Sequence, residues 1–116
     1  PFHQGIEEVA RRTNSRVAEL YQPLDPAVLR LISLTCAAAH RHGRHVAVCG
    51  ELGGDARATA LLVGLGVDEL SCAPTAVAQV RRVVRAIDRP SAQELAAAAL
   101  ACSSHTEVAA LLARNV

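Results

Sequence analysis

The stretch from Cys49 to Asp55, C-G-E-L-G-G-D, holds the residues best suited to chemistry. A cysteine thiol can act as an acid, a base or a nucleophile, and with an ordinary pKa of about 8.5 it is mostly protonated at neutral pH and able to donate a proton. The glycines let backbone N–H groups approach a ligand, and we expect Gly50 to contact a substrate in this way. The helix predicted after this turn presents its positive end to an anion. The alternative is that Cys49 is a small buried hydrophobic residue at a strand end.

The other three cysteines have weaker claims to a chemical role. Cys72 also ends a predicted strand, but Ala73 and Pro74 come next instead of glycines, so packing in the core is the favoured interpretation. Cys36 on an apolar helix face and Cys102 at a helix end are interpreted as packing residues. Because the sequence has no C-x-x-C pair, it favours neither a disulfide scaffold nor a structural zinc site, and reduced thiols indicate a cytoplasmic protein.

Three histidines precede the strand that carries Cys49. Neutral imidazoles at His40, His42 and His45 could bind a metal ion. They straddle a predicted helix end, however, where histidines also interact favourably with the last carbonyl groups. Structural or solvated roles are the favoured interpretation.

Charged residues at two places offer further ligands. The guanidinium groups of Arg11 and Arg12 match phosphate or carboxylate, although such a pair is also common on a solvated face. Glu51 and Asp55 carry oxygen ligands of the kind that Mg²⁺ binds. Asp55 is also a predicted helix cap, and Glu51 is equally well interpreted as a surface carboxylate.

Alternating helix and strand patterns must position these residues. Asp25 and Pro26 begin a helix, with Asp25 as N-cap, and Gly43 ends it. Residues 45–49 (H-V-A-V-C) predict a strand buried on both faces. Residues 50–54 are then expected to form a glycine-rich turn.

The second half continues the same alternation. A helix is predicted over 55–63 with Asp55 as N-cap, followed by a strand over 69–72 and a helix that starts at 73–75. Capping boxes at Ser91…Glu94 and Ser104…Glu107 predict a helical hairpin at the end. Strands separated by helices predict right-handed parallel β-α-β units, so the expected fold class is α/β. The helix after residue 75 is expected to turn these residues inward: Val77, Val80, Val83, Val84 and Ile87.

Length and composition exclude several classes of protein. The chain has 116 residues, which suits one domain. A formal net charge of +1 and only two aromatic residues, one Phe and one Tyr, argue against binding of nucleic acid. The apolar runs are too short to span a membrane, and no secretory signal pattern opens the chain.

Three segments resemble the carboxyl-terminal domain of Enzyme I of the bacterial phosphotransferase system. They are residues 20–32 (L-Y-Q-P-L-D-P-A-V-L-R-L-I), 48–59 (V-C-G-E-L-G-G-D-A-R-A-T) and 62–71 (L-V-G-L-G-V-D-E-L-S). Related fusion proteins, the multiphosphoryl transfer proteins, carry the same domain. Pyruvate phosphate dikinase has a similar C-G-E-x-G-G segment and an S-C-x-P segment like residues 71–74, but it lacks the first run. It is therefore the second choice.

The resemblance implies a (β/α)8 TIM barrel that binds phosphoenolpyruvate and passes its phosphoryl group to a protein histidine, releasing pyruvate, in bacterial sugar uptake. By the family's pattern, Cys49 protonates the enolate carbon and Arg12 contacts the phosphate. The family pattern A-V-D-R-G-N is written V-A-R-R-T-N at residues 9–14 here. The resemblance also implies Mg²⁺ in the intact parent enzyme, a histidine-containing phosphocarrier protein as partner, and a homodimer.

Departures from the family pattern shape the expectation for this chain. The family's G-T-N-D motif should lie just before Arg12, but residues 1–4 read P-F-H-Q. The upstream metal-binding glutamate, two further arginines and the phosphoryl-accepting histidine domain have no counterpart. Since a complete barrel needs about 200 residues or more, residues 1–116 are expected to be an incomplete (β/α)8 barrel. This C-terminal part would hold the last two parallel strands, flanking helices and a helical hairpin.

Two functional hypotheses follow. In the first, the chain is part of a phosphoenolpyruvate–protein phosphotransferase or, as the second choice, of a pyruvate phosphate dikinase-like enzyme. Such a fragment is expected to be inactive alone, with no cofactor of its own. In the second, it is a non-catalytic dimerisation or interaction module, because an incomplete barrel leaves a sheet edge and an apolar face without partners.

Overall fold

The computed structural model describes residues 22–115, and its first element is helix α1 (Pro26–Arg41). Asp25 caps this helix, since its Oδ1 accepts a hydrogen bond from the Ala27 N–H at 2.9 Å. Pro26 fits the first turn because the missing N–H of proline would have no helical acceptor there. The predicted helix start is confirmed, and the helix ends just before Gly43 as expected.

Two short strands form a parallel pair. Strand β1 (Ala47–Val48) lies beside β2 (Glu69–Leu70), with Ala47 opposite Glu69 and Val48 opposite Leu70. Both are shorter than the predicted strands over 45–49 and 69–72. The predicted burial of the first strand on both faces is wrong, because Ala47 is exposed, whereas Val46 and Val48 pack against the core.

The segment between the strands folds differently from the prediction. The glycine-rich stretch forms a one-turn helix, α2 (Gly50–Gly54), instead of an open turn. Helix α3 (Thr59–Leu65) begins three residues later than predicted, because its N-cap is Ala58 and not Asp55. The Asp55 carboxylate instead binds Arg57, accepting from its backbone N–H at 3.0 Å and from its side chain at 3.0 and 3.1 Å.

Three helices complete the described chain: α4 (Pro74–Ala86), α5 (Arg89–Leu100) and α6 (His105–Arg114). The inward face predicted for α4 is only partly correct. Val80 is buried, whereas Val77 is 36% and Val84 45% exposed, because both flank the buried stripe instead of lying on it. None of the helices within 22–115 combines the length and apolar character that a membrane crossing requires.

The caps of the last two helices contrast with each other. Asp88 caps α5, accepting from the Ser91 N–H at 2.9 Å, so the predicted Ser91 cap is wrong. The Ser104 cap of α6 is confirmed, because its side chain accepts from the Glu107 N–H at 3.2 Å. The Glu107 carboxylate in turn accepts from the Ser103 N–H at 2.7 Å.

The core forms where α3 crosses α5. A Cβ placed on Gly64 would overlap the Ala92 carbonyl oxygen and lie 3.0 Å from the Ala96 Cβ. The two backbones approach this closely because only small residues meet there, Gly64 on α3 and Ala92 and Ala96 on α5. The mixed helix and parallel-strand composition of the predicted α/β class is confirmed. The largest hydrophobic side chains fully buried in this core are Leu29, Leu61, Leu62 and Val108.

Candidate functional site

Cys49 stands where β1 ends and α2 begins. It is the N-cap residue of α2, in an extended backbone conformation, and its thiol makes no capping hydrogen bond. The residue is exposed, so the alternative of a buried hydrophobic residue is wrong. Cysteines Cys36, Cys49, Cys72 and Cys102 are all thiols. The structure thus presents an accessible thiol at the carboxyl end of a parallel strand, where ligands bind in α/β sheets.

Two glycines of the C-G-E-L-G-G segment meet different demands. Gly50 has φ of +75°, and a Cβ there would meet no atom within 4 Å, so glycine is needed for the backbone conformation. Gly53 is buried, and a Cβ there would lie 2.5 Å from the Ser71 carbonyl oxygen and 2.7 Å from that of Val48. Helix α2 therefore rests directly on the carboxyl ends of both strands.

The remaining cysteines lie in packed surroundings. Cys72 is half-buried, and a Cβ on Gly54 would lie 3.0 Å from its Cβ. Cys36 is 1% exposed, and burial raises the pKa of its thiol, with a smaller contribution from the charge of Asp68. The half-buried Cys102 donates from Sγ to the Ala98 carbonyl at 3.4 Å. The buried position of Cys36 agrees with the packing role predicted for it.

Two of the three histidines pair with carboxylates at the opposite end of the strands. His40 Nε2 donates to Asp68 Oδ2 at 2.7 Å, and His45 Nε2 donates to Glu69 Oε2 at 2.9 Å. His42 is the exposed C-cap residue of α1. The interpretation of these histidines as structural or solvated agrees with this arrangement.

Asp68 was not predicted as an important residue. Its Oδ2 also accepts from the Val46 N–H at 2.9 Å. The hydrogen bond from His40 is the main cause that lowers the pKa of Asp68 below its ordinary value, and the bond from Val46 acts in the same direction. The one sequence signal for it is its position between a G-x-G-V turn and a strand.

The described residues do not fit a magnesium site by themselves. No group of three or more His, Cys, Asp or Glu side chains within residues 22–115 is arranged to hold a metal ion. Burial would raise the pKa of Asp55, but hydrogen bonds from Arg57 outweigh it and lower that pKa. The Asp55 carboxylate is therefore already paired with the Arg57 guanidinium. Arg11 and Arg12 lie outside the described residues, so the structure places Cys49 and Gly50 together but says nothing of their relation to Arg12.

Comparison with known families identifies the domain. A family model described as "PEP-utilising enzyme, PEP-binding domain" matches residues 8–89, which include Cys49 and both strands. The chain belongs to this family. Its membership in the PEP-binding domain family confirms the predicted resemblance.

Curated relatives of this PEP-binding domain agree with that assignment. The chain is 44% identical over 101 residues to a multiphosphoryl transfer protein of Escherichia coli O6:H1, covering 87% of this chain and 12% of that protein. It is 40% identical over 103 residues to a phosphoenolpyruvate-protein phosphotransferase of Staphylococcus carnosus, and 42% identical over 104 residues to one of Lactococcus lactis subsp. lactis. In both, the match covers 89% of this chain and 18% of the relative. The chain thus spans less than a fifth of the length of these relatives.

Proposed function

We propose that this chain is part of a phosphoenolpyruvate–protein phosphotransferase, in which phosphate moves from phosphoenolpyruvate to a protein histidine and pyruvate is released, in bacterial sugar uptake. The observation that carries the proposal is the exposed Cys49 thiol at the carboxyl end of β1, inside the segment that matches the PEP-binding domain. Two relatives are named phosphoenolpyruvate-protein phosphotransferases, and these names support transfer from phosphoenolpyruvate to a protein.

Cys49 acts as a proton donor in the proposed reaction. Phosphoryl transfer breaks the bond between phosphorus and the enol oxygen and leaves the enolate of pyruvate. The Cys49 S–H bond then breaks as its proton joins the terminal methylene carbon. The electron pair stays on sulfur as a thiolate, which solvent reprotonates. An exposed thiol suits this step, because a substrate can reach its S–H group.

Gly50 and Arg12 bind the substrate in this proposal. The backbone at Gly50 is free of a side chain on the open side of α2, which allows a substrate to approach its N–H closely. The Arg12 guanidinium matches the geometry of a phosphate group. Mg²⁺ would be held by groups of the intact parent enzyme outside residues 22–115.

The parallel pair β1 and β2 forms two neighbouring strands of a (β/α)8 barrel in the proposed parent, and residues 1–116 form its C-terminal part. Support comes from the order of elements, since each strand is followed by helices as in a barrel repeat. Four cysteines that are all thiols fit a cytoplasmic enzyme. The phosphocarrier partner would bind another domain of the parent, and the isolated chain would be inactive.

The test uses the full-length enzyme that contains this chain. We expect Cys49→Ala to lower the rate of pyruvate release by about two orders of magnitude or more, the contribution of a typical general acid. Cys102→Ala is the matched control, because Cys102 lies between α5 and α6 and its thiol bonds to the Ala98 carbonyl. Unchanged turnover in Cys49→Ala would remove Cys49 from the mechanism. Transfer from labelled phosphoenolpyruvate by the isolated chain would overturn its proposed inactivity.

A non-catalytic interaction module is the second candidate. One observation favours it: Leu31 is 65% and Leu34 60% exposed on α1, one helical turn apart. Exposed leucines this close together favour self-association, and the homodimer of the parent is proposed to use them. Proton donation by Cys49 and association through α1 are compatible functions of one chain.

A further inference from the structure

Asp68 and Val46 are joined by two hydrogen bonds that run in opposite directions. The Asp68 N–H donates to the Val46 carbonyl at 2.9 Å, and the Val46 N–H donates to Asp68 Oδ2 at 2.9 Å. The same carboxylate oxygen accepts from His40 Nε2 at 2.7 Å. Asp68 therefore connects the C-terminal end of α1 with the residues that precede β1 and β2.

This connection matters because the strand pair is so short. Each strand has two residues, and beyond them the Ser71 N–H donates to the Val48 carbonyl at 2.8 Å. A shift of one residue in register would turn every side chain of β1 to the opposite face. Such a shift would move the Cys49 thiol away from its present side of the sheet. A strand of this length depends on contacts outside the ladder to keep its register.

We propose that Asp68, oriented by His40, is a positioning residue for Cys49, because it fixes the register of β1 against β2 and thereby the direction in which the thiol faces. The role of Asp68 in fixing the strand register does not depend on the proposed function. Its importance for catalysis rests on the proposed function, in which the Cys49 thiol must face the substrate. The Asp68 carboxylate is ionised at neutral pH, as an ordinary aspartate is, and it accepts from His40 and Val46 together. Both hydrogen bonds lower its pKa further. His45 and Cys36 are the other titratable groups whose charges interact with it.

The neighbouring pair of His45 and Glu69 provides a built-in comparison. It also joins the segment before β1 to β2, and its atoms lie 2.9 Å apart. The Glu69 carboxylate is bonded to a side chain, however, whereas that of Asp68 also holds the backbone N–H of Val46. Only loss of the Asp68 carboxylate removes a bond that depends on backbone register.

The first test measures the reactivity of individual thiols in the chain itself. Alkylation by iodoacetamide is followed over time by peptide mass spectrometry in the wild type, Asp68→Ala, Asp68→Asn and Glu69→Ala. We expect Asp68→Ala to change the rate at Cys49 by about fivefold or more, the effect of one ordinary hydrogen bond, and to leave Cys102 unchanged. Hydrogen exchange at the Ser71 N–H should accelerate in parallel. Glu69→Ala should stay near the wild-type values, and Asp68→Asn should lie between wild type and Asp68→Ala.

A stability control separates positioning from general destabilisation. Ser104→Ala removes the cap of α6, far along the chain from the strands. If Asp68→Ala changes Cys49 and Cys102 in the same proportion as Ser104→Ala does, Asp68 acts only on overall stability and the proposal is wrong. If Asp68→Ala does not fold, the milder variants Asp68→Asn and His40→Gln are measured in the same alkylation assay to test the proposal. Wild-type reactivity of Cys49 in both would then overturn the proposal.

The second test uses the full-length enzyme. Asp68→Asn should lower kcat with little change in the KM for phosphoenolpyruvate, because the proton donor is displaced while the substrate contacts remain. The two proposals fail separately. If Cys49→Ala leaves turnover unchanged while Asp68→Ala still alters Cys49 reactivity, the proposed function fails and the register role of Asp68 stands. If Asp68→Ala leaves Cys49 reactivity and Ser71 exchange unchanged, the register role fails, whatever Cys49 does in catalysis.

Discussion

Gly53 lies so close to Val48 that a Cβ on Gly53 would stand 2.7 Å from the Val48 carbonyl oxygen. The same Cβ would lie 2.5 Å from the carbonyl oxygen of Ser71, which follows the neighbouring strand. Both contacts are with backbone atoms, which cannot rotate away as a side chain can. The close packing of α2 against the strand ends therefore requires glycine at position 53.

We expect Gly53→Ala to lower the free energy of unfolding by about 1–3 kcal/mol, because α2 must shift to accommodate the methyl group. Gly54→Ala is the matched control, since its nearest contact would be the Cys72 Cβ at 3.0 Å, a side-chain atom. Urea denaturation measures both. An equal or larger loss of unfolding free energy in Gly54→Ala would contradict the close packing inferred for Gly53.

Gly64→Ala should destabilise the fold, against the usual trend. Within a helix, replacing glycine by alanine normally stabilises by about 1 kcal/mol. Here the methyl group would overlap the Ala92 carbonyl oxygen where α3 crosses α5, so we expect a loss of about 1–3 kcal/mol. Thermal and urea unfolding give the sign. The exposed Ala97 on α5 supplies the control, because Ala97→Gly should cost only the propensity of about 1 kcal/mol. A stabilised Gly64→Ala variant would contradict the close helix crossing.

The ion pair of Asp55 and Arg57 should make stability depend on pH in the acidic range. Because the pKa of Asp55 is lowered in the folded state, its contribution is complete above the ordinary value of about 3.9 and is lost as pH falls below it. We expect Arg57→Gln to lower the free energy of unfolding by roughly 0.3–1 kcal/mol at pH 6, as for other exposed pairs, and by less at pH 2.5. Arg30→Gln is the control, since Arg30 is exposed on α1. A gap between wild type and Arg57→Gln that is equally wide at both pH values would refute this role of the pair.

The four thiols should react in an order set by their burial. Cys49 is exposed and should be alkylated first, whereas Cys36 is 1% exposed and should react last. Burial and the charge of Asp68 also raise the pKa of the Cys36 thiol, which leaves less of the reactive thiolate. A time course with N-ethylmaleimide and peptide mass spectrometry gives the order. In concentrated urea the difference should disappear, and early labelling of Cys36 in the native chain would contradict its buried position.

Association through α1 should depend on its exposed leucines. We expect Leu31→Lys and Leu34→Lys to weaken any concentration-dependent association of the chain, because each replaces exposed apolar surface with charge. Sedimentation velocity over a range of concentrations measures the effect. Gln79→Lys adds the same charge at an exposed position on α4 and should leave association unchanged. Equal effects of all three changes would attribute the association to net charge.

Local sequence patterns predicted the parts of the fold that depend on local interactions. The Asp25 cap and Pro26 predicted the start of α1 because capping involves residues two apart. The Ser104 cap of α6 was predicted for the same reason. The start of α3 was not predicted, since Asp55 is also a good N-cap by type and its engagement with Arg57 decides the outcome.

Contacts between distant parts of the chain account for what sequence patterns missed. Asp68 meets His40 across 28 positions and Val46 across 22, and no periodicity marks such a meeting. Gly53 was recognised as one of several glycines, but its contacts with both strand ends exist only once the strands are side by side. The location of Cys49 at a strand end was predictable because strand patterns are local. Its exposure was not, because it depends on which elements cover that end.

The contact of Gly53 with the strand ends also fixes the number of residues between Cys49 and Gly53. Cys49 directly follows β1, and Gly53 contacts the last residue of the same strand, Val48. The three residues between Cys49 and Gly53 must therefore bring the chain back to the end of β1. An inserted residue in this interval would rotate α2 by about a quarter turn or more and place another side chain against the two carbonyl oxygens. A deletion would do the same in the opposite sense. Insertions and deletions should therefore be tolerated far less between Cys49 and Gly53 than single substitutions at the exposed Glu51.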